Sequence, residues 1–417
     1  MPDSPRKGAL AVVFLTVFID LLGFGIVLPL LPLYAKEFTL DDSGITIGLL
    51  MASFSAMQFL FAPIWGRLSD RIGRRPVLMI GLAGSTVSYA VFGLSTSMGS
   101  LVGIFMSRIG AGVAGATIPT AQAYIADVTP KEQRARGMAL IGAAFGLGFT
   151  FGPLLALTAI PAAGETGLSP WPGYTASILS GLALVLAIVK LPESLHAESE
   201  RGGHRFIDLA SLKNALTIPT IGGLLLTSFV GVVSFANFES IFSTLLKTES
   251  AQGGFDFSLT NVMLFFAMLG FVHAMAQGAV RGFSRRVSEA KLATAGAIVS
   301  IAGFVCLAMA VHGGSLGLLV CGTLVEAAGF AFLPPTLQSL ISRRSDPAKQ
   351  GSILGVGQSL SALARIIGPV VSFPLFALHT AIPFWLGAAL MGVALLLIVK
   401  NAYHGSDFKP SDSQTRW

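Results

Sequence analysis

The sequence predicts an all-α membrane protein with twelve transmembrane helices in two pseudo-symmetric six-helix bundles. Low charge, long apolar runs and a lopsided distribution of basic residues predict it. Of 417 residues, 53% are hydrophobic and 12% charged, whereas a soluble domain carries roughly 25% charged residues. Half the usual charge over so long a chain leaves most of the surface facing lipid. Runs such as 381–399 are apolar throughout, long enough for the roughly 20 residues a helical span needs. They lack the alternation of a β-barrel strand.

The apolar runs place spans near 8–33, 45–66, 77–97, 101–126, 137–160 and 173–191, then 218–246, 259–281, 291–312, 315–341, 351–376 and 381–400. The polar stretch 192–217 divides six from six, giving an N-terminal bundle (1–191), a linker (192–217), a C-terminal bundle (218–400) and a tail (401–417). The N-terminal segment leads into an apolar run with no small-residue cleavage site, so it reads as a retained first helix. With the N-terminus taken as cytoplasmic, cytoplasmic segments hold 23 of the 27 Lys and Arg. The opposite loops hold only Lys36 and Lys247, and Arg108 and Arg365 lie within spans. That bias predicts a multi-pass cell-membrane protein with both termini cytoplasmic. It also accounts for the net charge of +6 without nucleic acid.

The halves echo each other. Pro119, Thr120 and Gln122 recur as Pro335, Thr336 and Gln338, and Gly152-Pro153 recurs as Gly368-Pro369, all at an offset of 216. A shared offset points to a duplicated six-helix unit, a plan whose binding site lies between the halves near the midplane.

The segment GRLSDRIGRRPV (66–77) joins the second and third spans. Its Gly66 and Gly73 permit close backbone approach and a tight turn. Asp70 is suited to accept from exposed amides at a helix N-terminus, and Arg71, Arg74 and Arg75 to anchor the loop and pair with carboxylates. This segment resembles the signature loop of the major facilitator superfamily. The first span (FIDLLGFGIVLPLLP), the second with Gln58, and the fourth with Arg108, Gln122 and Asp127 resemble the drug:H+ antiporter group. The fifth, AAFGLGFTFGP with Gly148, Gly152 and Pro153, resembles its helix-packing motif. The eighth, with His273 and Gln277, is similar to the tetracycline-efflux antiporters. Two departures stand out. Ala156 and Leu157 replace the usual Gly-Gly, and Ser88 and Ser300 stand where tetracycline antiporters carry carboxylates.

The resemblance implies the major facilitator fold and a signature loop that locks one conformation. Gly66, Asp70, Arg71, Gly73, Arg74, Arg75 and Asp127 would form the lock. Asp70 would meet the start of the eleventh helix near Gly351 and Ser352, and Arg74 would lie between Asp70 and Asp127. Helices one, four, seven and ten would line the cavity.

Six ionisable groups lie well inside spans: Asp20, Arg108, Glu239, His273, Glu326 and Arg365. A charge at a helix centre costs roughly 2.5–3.5 kcal/mol to insert, so such groups are candidates for function. Asp20, Glu239, His273 and Glu326 are the proton-coupling candidates, with Asp20 alternatively a structural partner of Arg108. Glu326 and Arg365 read either as a pair or, for Arg365, as a holder of an anion. Gln58, Arg108, Gln122, Phe235, Gln277, Phe330, Gln338 and Arg365 are the substrate-cavity candidates. Phe238 and Phe332 add apolar surface, or simply pack.

No nucleotide-binding loop, nucleophile motif or metal-ligand spacing is present, and Cys306 and Cys321 sit in apolar runs. The expectation is a transporter, not an enzyme, with no cofactor or metal. Its partners would be a small-molecule substrate, protons and the bilayer, and the chain would act as a monomer. The main reading is proton-coupled efflux of an amphipathic or drug-like molecule by alternating access. An exporter of an organic anion or lipid-like metabolite is one alternative, and a non-transporting membrane sensor another.

Overall fold

The apolar runs fold as long helices in the computed structural model, which describes residues 7–38, 41–129, 134–159, 169–195, 216–284, 286–345, 350–405 and 407–408. The helices are α1 (Lys7–Val27), α2 (Leu31–Phe38), α3 (Ile45–Ile72), α4 (Arg74–Ser97), α5 (Leu101–Gly115), α6 (Ile118–Val128) and α7 (Arg134–Ala159). They continue as α8 (Trp171–Lys190), α9 (Ile221–Lys247), α10 (Leu259–Phe283), α11 (Glu289–Gly313), α12 (Leu316–Arg344), α13 (Gln350–Leu378) and α14 (Ile382–Asn401). Among the described residues there is no strand. Among those residues twelve spans are long and apolar enough to cross a membrane, so the chain is a multi-pass membrane protein. Most of the linker lies outside the described residues.

Two spans are less regular than the hydropathy suggests. The first breaks at residues 28–30. Pro29 and Pro32 supply no N–H, and Leu30 instead donates to the Val27 carbonyl (3.1 Å), three residues back. The fourth breaks at Ala116 and Thr117, and α6 restarts with Pro119 in its first turn, where the missing N–H costs nothing. Before α3, Asp41 accepts the amides of Ser43 (2.9 Å) and Thr46 (2.8 Å). Hydrogen bonds from the Ser43 side chain, then from Thr46, hold the Asp41 carboxyl well below the usual carboxylate range.

Packing forms two compact units. One is drawn from residues 1–207, 239–274 and 366–380, the other from 208–238, 275–365 and 381–417. In the first unit, α1 lies on α7 and α8, and α4 on α5 and α8. Its apolar core includes Val13, Val17, Leu78, Leu82, Tyr124 and Ile125. Its glycines let backbones touch. A methyl on Gly152 would sit 2.6 Å from the Gly25 carbonyl carbon, and one on Gly148 3.0 Å from Leu21. Gly152→Leu is therefore expected to cost about 1–3 kcal/mol through overpacking. Thermal unfolding of the purified variant would read the loss, and an unchanged midpoint would show that α1 and α7 separate freely.

In the second unit, α11 packs along α12. Gly296 and Gly303 face Gly329 and Gly322 across this contact, two glycines seven residues apart on each helix, so the backbones approach closely on either side of Ser300 and Glu326. The α9 helix is pinned to α14 by Ser234 Oγ donating to the Gly387 carbonyl (2.8 Å) and Asn237 Nδ2 to that of Pro383 (2.7 Å). Phe238 is fully buried in T-shaped contact with Phe304 and Phe384. It is a packing residue, not one that lines a pocket.

Candidate functional site

The buried charges are held by local chemistry. Arg108, on α5, is 2% exposed. Its guanidinium lies 4.5 Å from the Phe54 ring centre and 5.8 Å from that of Phe24. The two rings are 5.0 Å apart, and Phe149 of α7 meets Phe24 edge-on at 5.8 Å. A desolvated cation on an aromatic face gains up to about 2 kcal/mol. That offsets much of the cost of burial without neutralising the charge. The Arg108 Nε has no hydrogen-bond partner, and among the described residues no ion pair joins it to Asp20. The sequence alternative that Asp20 neutralises Arg108 is thereby replaced by an aromatic clasp. Beside it, Gln58 Nε2 donates to the Gly115 carbonyl (3.3 Å), and a methyl on Gly112 would strike Phe54.

Asp20, on α1, turns towards the third and sixth spans. Ser180 Oγ on α8 donates to Asp20 Oδ1 (3.0 Å). Gln122 is half-buried on α6, and Ser88 is buried on α4.

In the second unit, Glu326 on α12 is wholly buried against α11. Ser300 Oγ reaches its Oε1 at 3.4 Å, and Gly303 lies against its backbone. Phe235 on α9 stacks on Phe330 on α12, with centroids 4.1 Å apart and planes 5° from parallel. Phe330 and Gln338 line one cavity of about 90 Å3 with Ser228, Gln358 and Ser361. Two amides and two hydroxyls on an otherwise apolar wall suit an amphipathic ligand. Arg365 on α13 is exposed, and Phe332 packs beside Phe283 (6.4 Å). Glu239, His273 and Gln277 are half-buried, the last two one turn apart on α10.

The signature loop has a geometry the sequence only partly suggests. Gly73 has φ 106°, a backbone glycine favours. Gly66 lies inside α3, and a methyl there would meet no described atom within 4 Å, so the turn belongs to Gly73 alone. The first amides of α4 were expected to fall to Asp70. Glu193, just after α8, takes them instead: Arg74 N at 2.9 Å and Arg75 N at 3.1 Å. A carboxylate there suits the positive end of the helix. Its only sequence signal is an acid placed just after a span.

Asp70 turns to Arg74 (2.5 Å), whose Nε also reaches Asp127 (3.2 Å). Ser194 Oγ donates to the same Asp127 oxygen (3.1 Å), and Arg75 Nη2 to the Ile188 carbonyl (2.7 Å). Arg71 is exposed in the last turn of α3. The surroundings of Gly351 and of the Ser352 side chain lie outside what the structure describes.

Comparison with known proteins follows the same lines. The family model described as Major Facilitator Superfamily matches residues 13–369. The tetracycline resistance protein, class C, of Escherichia coli is 33% identical over 398 residues, covering 94% of this chain and 95% of that one. Human major facilitator superfamily domain-containing protein 10 is 30% identical over 443 residues, covering 94% and 93%. A crystal structure described as the human organic anion transporter MFSD10 (TETRAN) superposes with TM-score 0.73 at 27% identity, covering 95% of this chain and all of that one. At 17% identity, the D-xylose-proton symporter shares the fold, with TM-score 0.75. These are transporters rather than enzymes, and the chain belongs to the major facilitator superfamily.

Proposed function

We propose that this protein is a proton-coupled secondary transporter that expels a small amphipathic molecule, and that the molecule carries an aromatic and an acidic part. The observation that carries the reading is Arg108, a buried guanidinium held on two phenylalanine rings with its Nε unbonded. A fixed cation beside aromatic faces suits a flat anion, because a guanidinium matches carboxylate geometry. The likeness to the organic anion transporter supports the acidic part, and that to the tetracycline resistance proteins supports export.

In this reading, six-helix halves at 1–191 and 218–400 alternate access. Asp20 is the leading proton site, with Glu239, His273 and Glu326 as further candidates. Arg74, held between Asp70 and Asp127, is the mobile part of a conformational lock. Both termini face the cytoplasm of the cell membrane, and the monomer is the working unit.

The test uses purified protein with tetracycline, aromatic carboxylates and hydrophobic cations as probes. Aromatic carboxylates are expected to raise thermal stability, by about 2.7 kcal/mol at 100 times their Kd. In proteoliposomes, a pH gradient is expected to drive their uptake. Stabilisation by cations alone would refute the acidic substrate, and flux indifferent to the gradient would refute proton coupling.

A further inference from the structure

A second polar site lies inside the first unit, away from Arg108. A cavity of about 20 Å3 is lined by Thr16 and Asp20 of α1, Leu78 and Leu82 of α4, and Thr117 at the break before α6. One water needs ~10–15 Å3 and two to four polar partners, and Thr16, Asp20 and Thr117 supply three.

The Thr16 hydroxyl is the telling group. Thr16 is 3% exposed and its Oγ1 has no hydrogen-bond partner. Several other buried helical threonines satisfy themselves by donating to the carbonyl four residues back, although Thr120 and Thr244, like Thr16, do not. Thr96 does so to Phe92, Thr150 to Gly146, Thr227 to Gly223 and Thr323 to Leu319, all within 2.7–2.9 Å. Thr16 sits in the same kind of helix and forgoes that bond. A buried hydroxyl left unbonded costs roughly 1–3 kcal/mol, so a partner in the cavity is the economical explanation.

We propose that this cavity is a binding site for a single ordered water, which joins the Thr16 hydroxyl to the Asp20 carboxyl and is completed by Thr117. Thr16 lies one helical turn from Asp20 towards the chain's N-terminus, so the water extends the carboxyl's hydrogen bonding along α1. The other groups facing the carboxyl are Ser180 from α8 and Ser85 and Tyr89 from α4, with Arg108 acting on Tyr89. Thr16 is thereby a positioning residue for the proton site. That second step rests on the reading of Asp20 given above; the water site itself does not.

Radiolytic hydroxyl labelling of the whole protein tests the site, with ordinary water and H2 18O as the probe. Leu78 and Leu82 are each only 5% exposed, so they gain oxygen efficiently only from a water bound beside them. Labelling of both leucines, exchanging slowly with bulk 18O, is expected in the native protein and in Thr16→Ser. It is expected to be lost in Thr16→Val, which keeps the shape and removes the hydroxyl. Unlabelled leucines in the native protein, or equal labelling in Thr16→Val with an unchanged unfolding midpoint, would overturn the proposal. Gradient-driven flux, measured in parallel, is expected to fall in Thr16→Val and recover in Thr16→Ser. Normal flux in an Asp20→Asn control would sink the reading of Asp20 as the proton site and leave the labelling result standing.

Discussion

Arg108→Met is expected to abolish transport of an acidic substrate while leaving the protein as stable as before, or more so. The two effects have one cause. A charge deep in a span costs roughly 2.5–3.5 kcal/mol to insert, and contact with Phe54 and Phe24 returns about 2 kcal/mol at most. Removing the guanidinium relieves the remainder, and an unbranched thioether fills the space with little strain. A residue kept only for packing would behave in the opposite way, with its loss lowering the unfolding midpoint. Arg108→Lys is the sharper variant. It keeps the charge but replaces the planar fork with a compact, strongly hydrated ammonium that cannot lie flat against the rings. A charge-assisted hydrogen bond contributes about 1.5–3 kcal/mol, so substrate affinity is expected to fall about tenfold or more in Arg108→Lys. Flux in proteoliposomes and thermal unfolding of the same preparations separate the cases. Native transport by Arg108→Met, or its collapse as a folded protein, would remove Arg108 from the substrate site.

What the sequence made legible follows from which forces act along one helix and which act between helices. Hydropathy is summed over a span, so all twelve spans could be read directly. Positions of intramembrane charges were equally plain, because each is costly wherever it points. Their partners were not. A helix turns 100° per residue, so a small rotation decides whether Asp20 meets Arg108 on the fourth span or Ser180 on the sixth. The structure gives it Ser180. Arg108 and Phe54 are remote in sequence, and no periodicity announces their contact. Proline was an unreliable guide too. Pro119 marks a break in the fourth span, but its counterpart Pro335, next to Pro334, lies within the continuous α12. The threonines beside the prolines differ with them: Thr336 bonds back to the Phe332 carbonyl (2.6 Å), whereas Thr120 has the broken turn at Ala116 behind it and its hydroxyl is unbonded. Glu193 escaped notice because a capping carboxylate after a span looks like any exposed acid until the chain returns it to α4.

Asp20→Asn is expected to uncouple the protein: uptake into vesicles driven by a pH gradient is lost, and exchange of substrate for substrate continues. The carboxyl sits within a span among α4, α6 and α8, with Ser180 as its hydrogen-bond donor, and because a charge there is costly its charged and neutral forms are accepted differently by the surroundings. Alternating access exploits such a group only if the two conformations differ in their preference for the proton. Asparagine has nearly the same shape and can still accept from Ser180, so the helices need not repack. It cannot gain or lose a proton. Every conformational step that depends on protonation then proceeds without one, and the gradient has nothing to act upon. Exchange requires only that substrate-loaded protein reorient, which the amide permits by mimicking the neutral acid. The two assays therefore diverge in one direction only. Loss of both would make Asp20 a structural residue. Retention of both would move the proton site to Glu239, His273 or Glu326, of which Glu326, like Asp20, takes a hydrogen bond from a serine hydroxyl, that of Ser300.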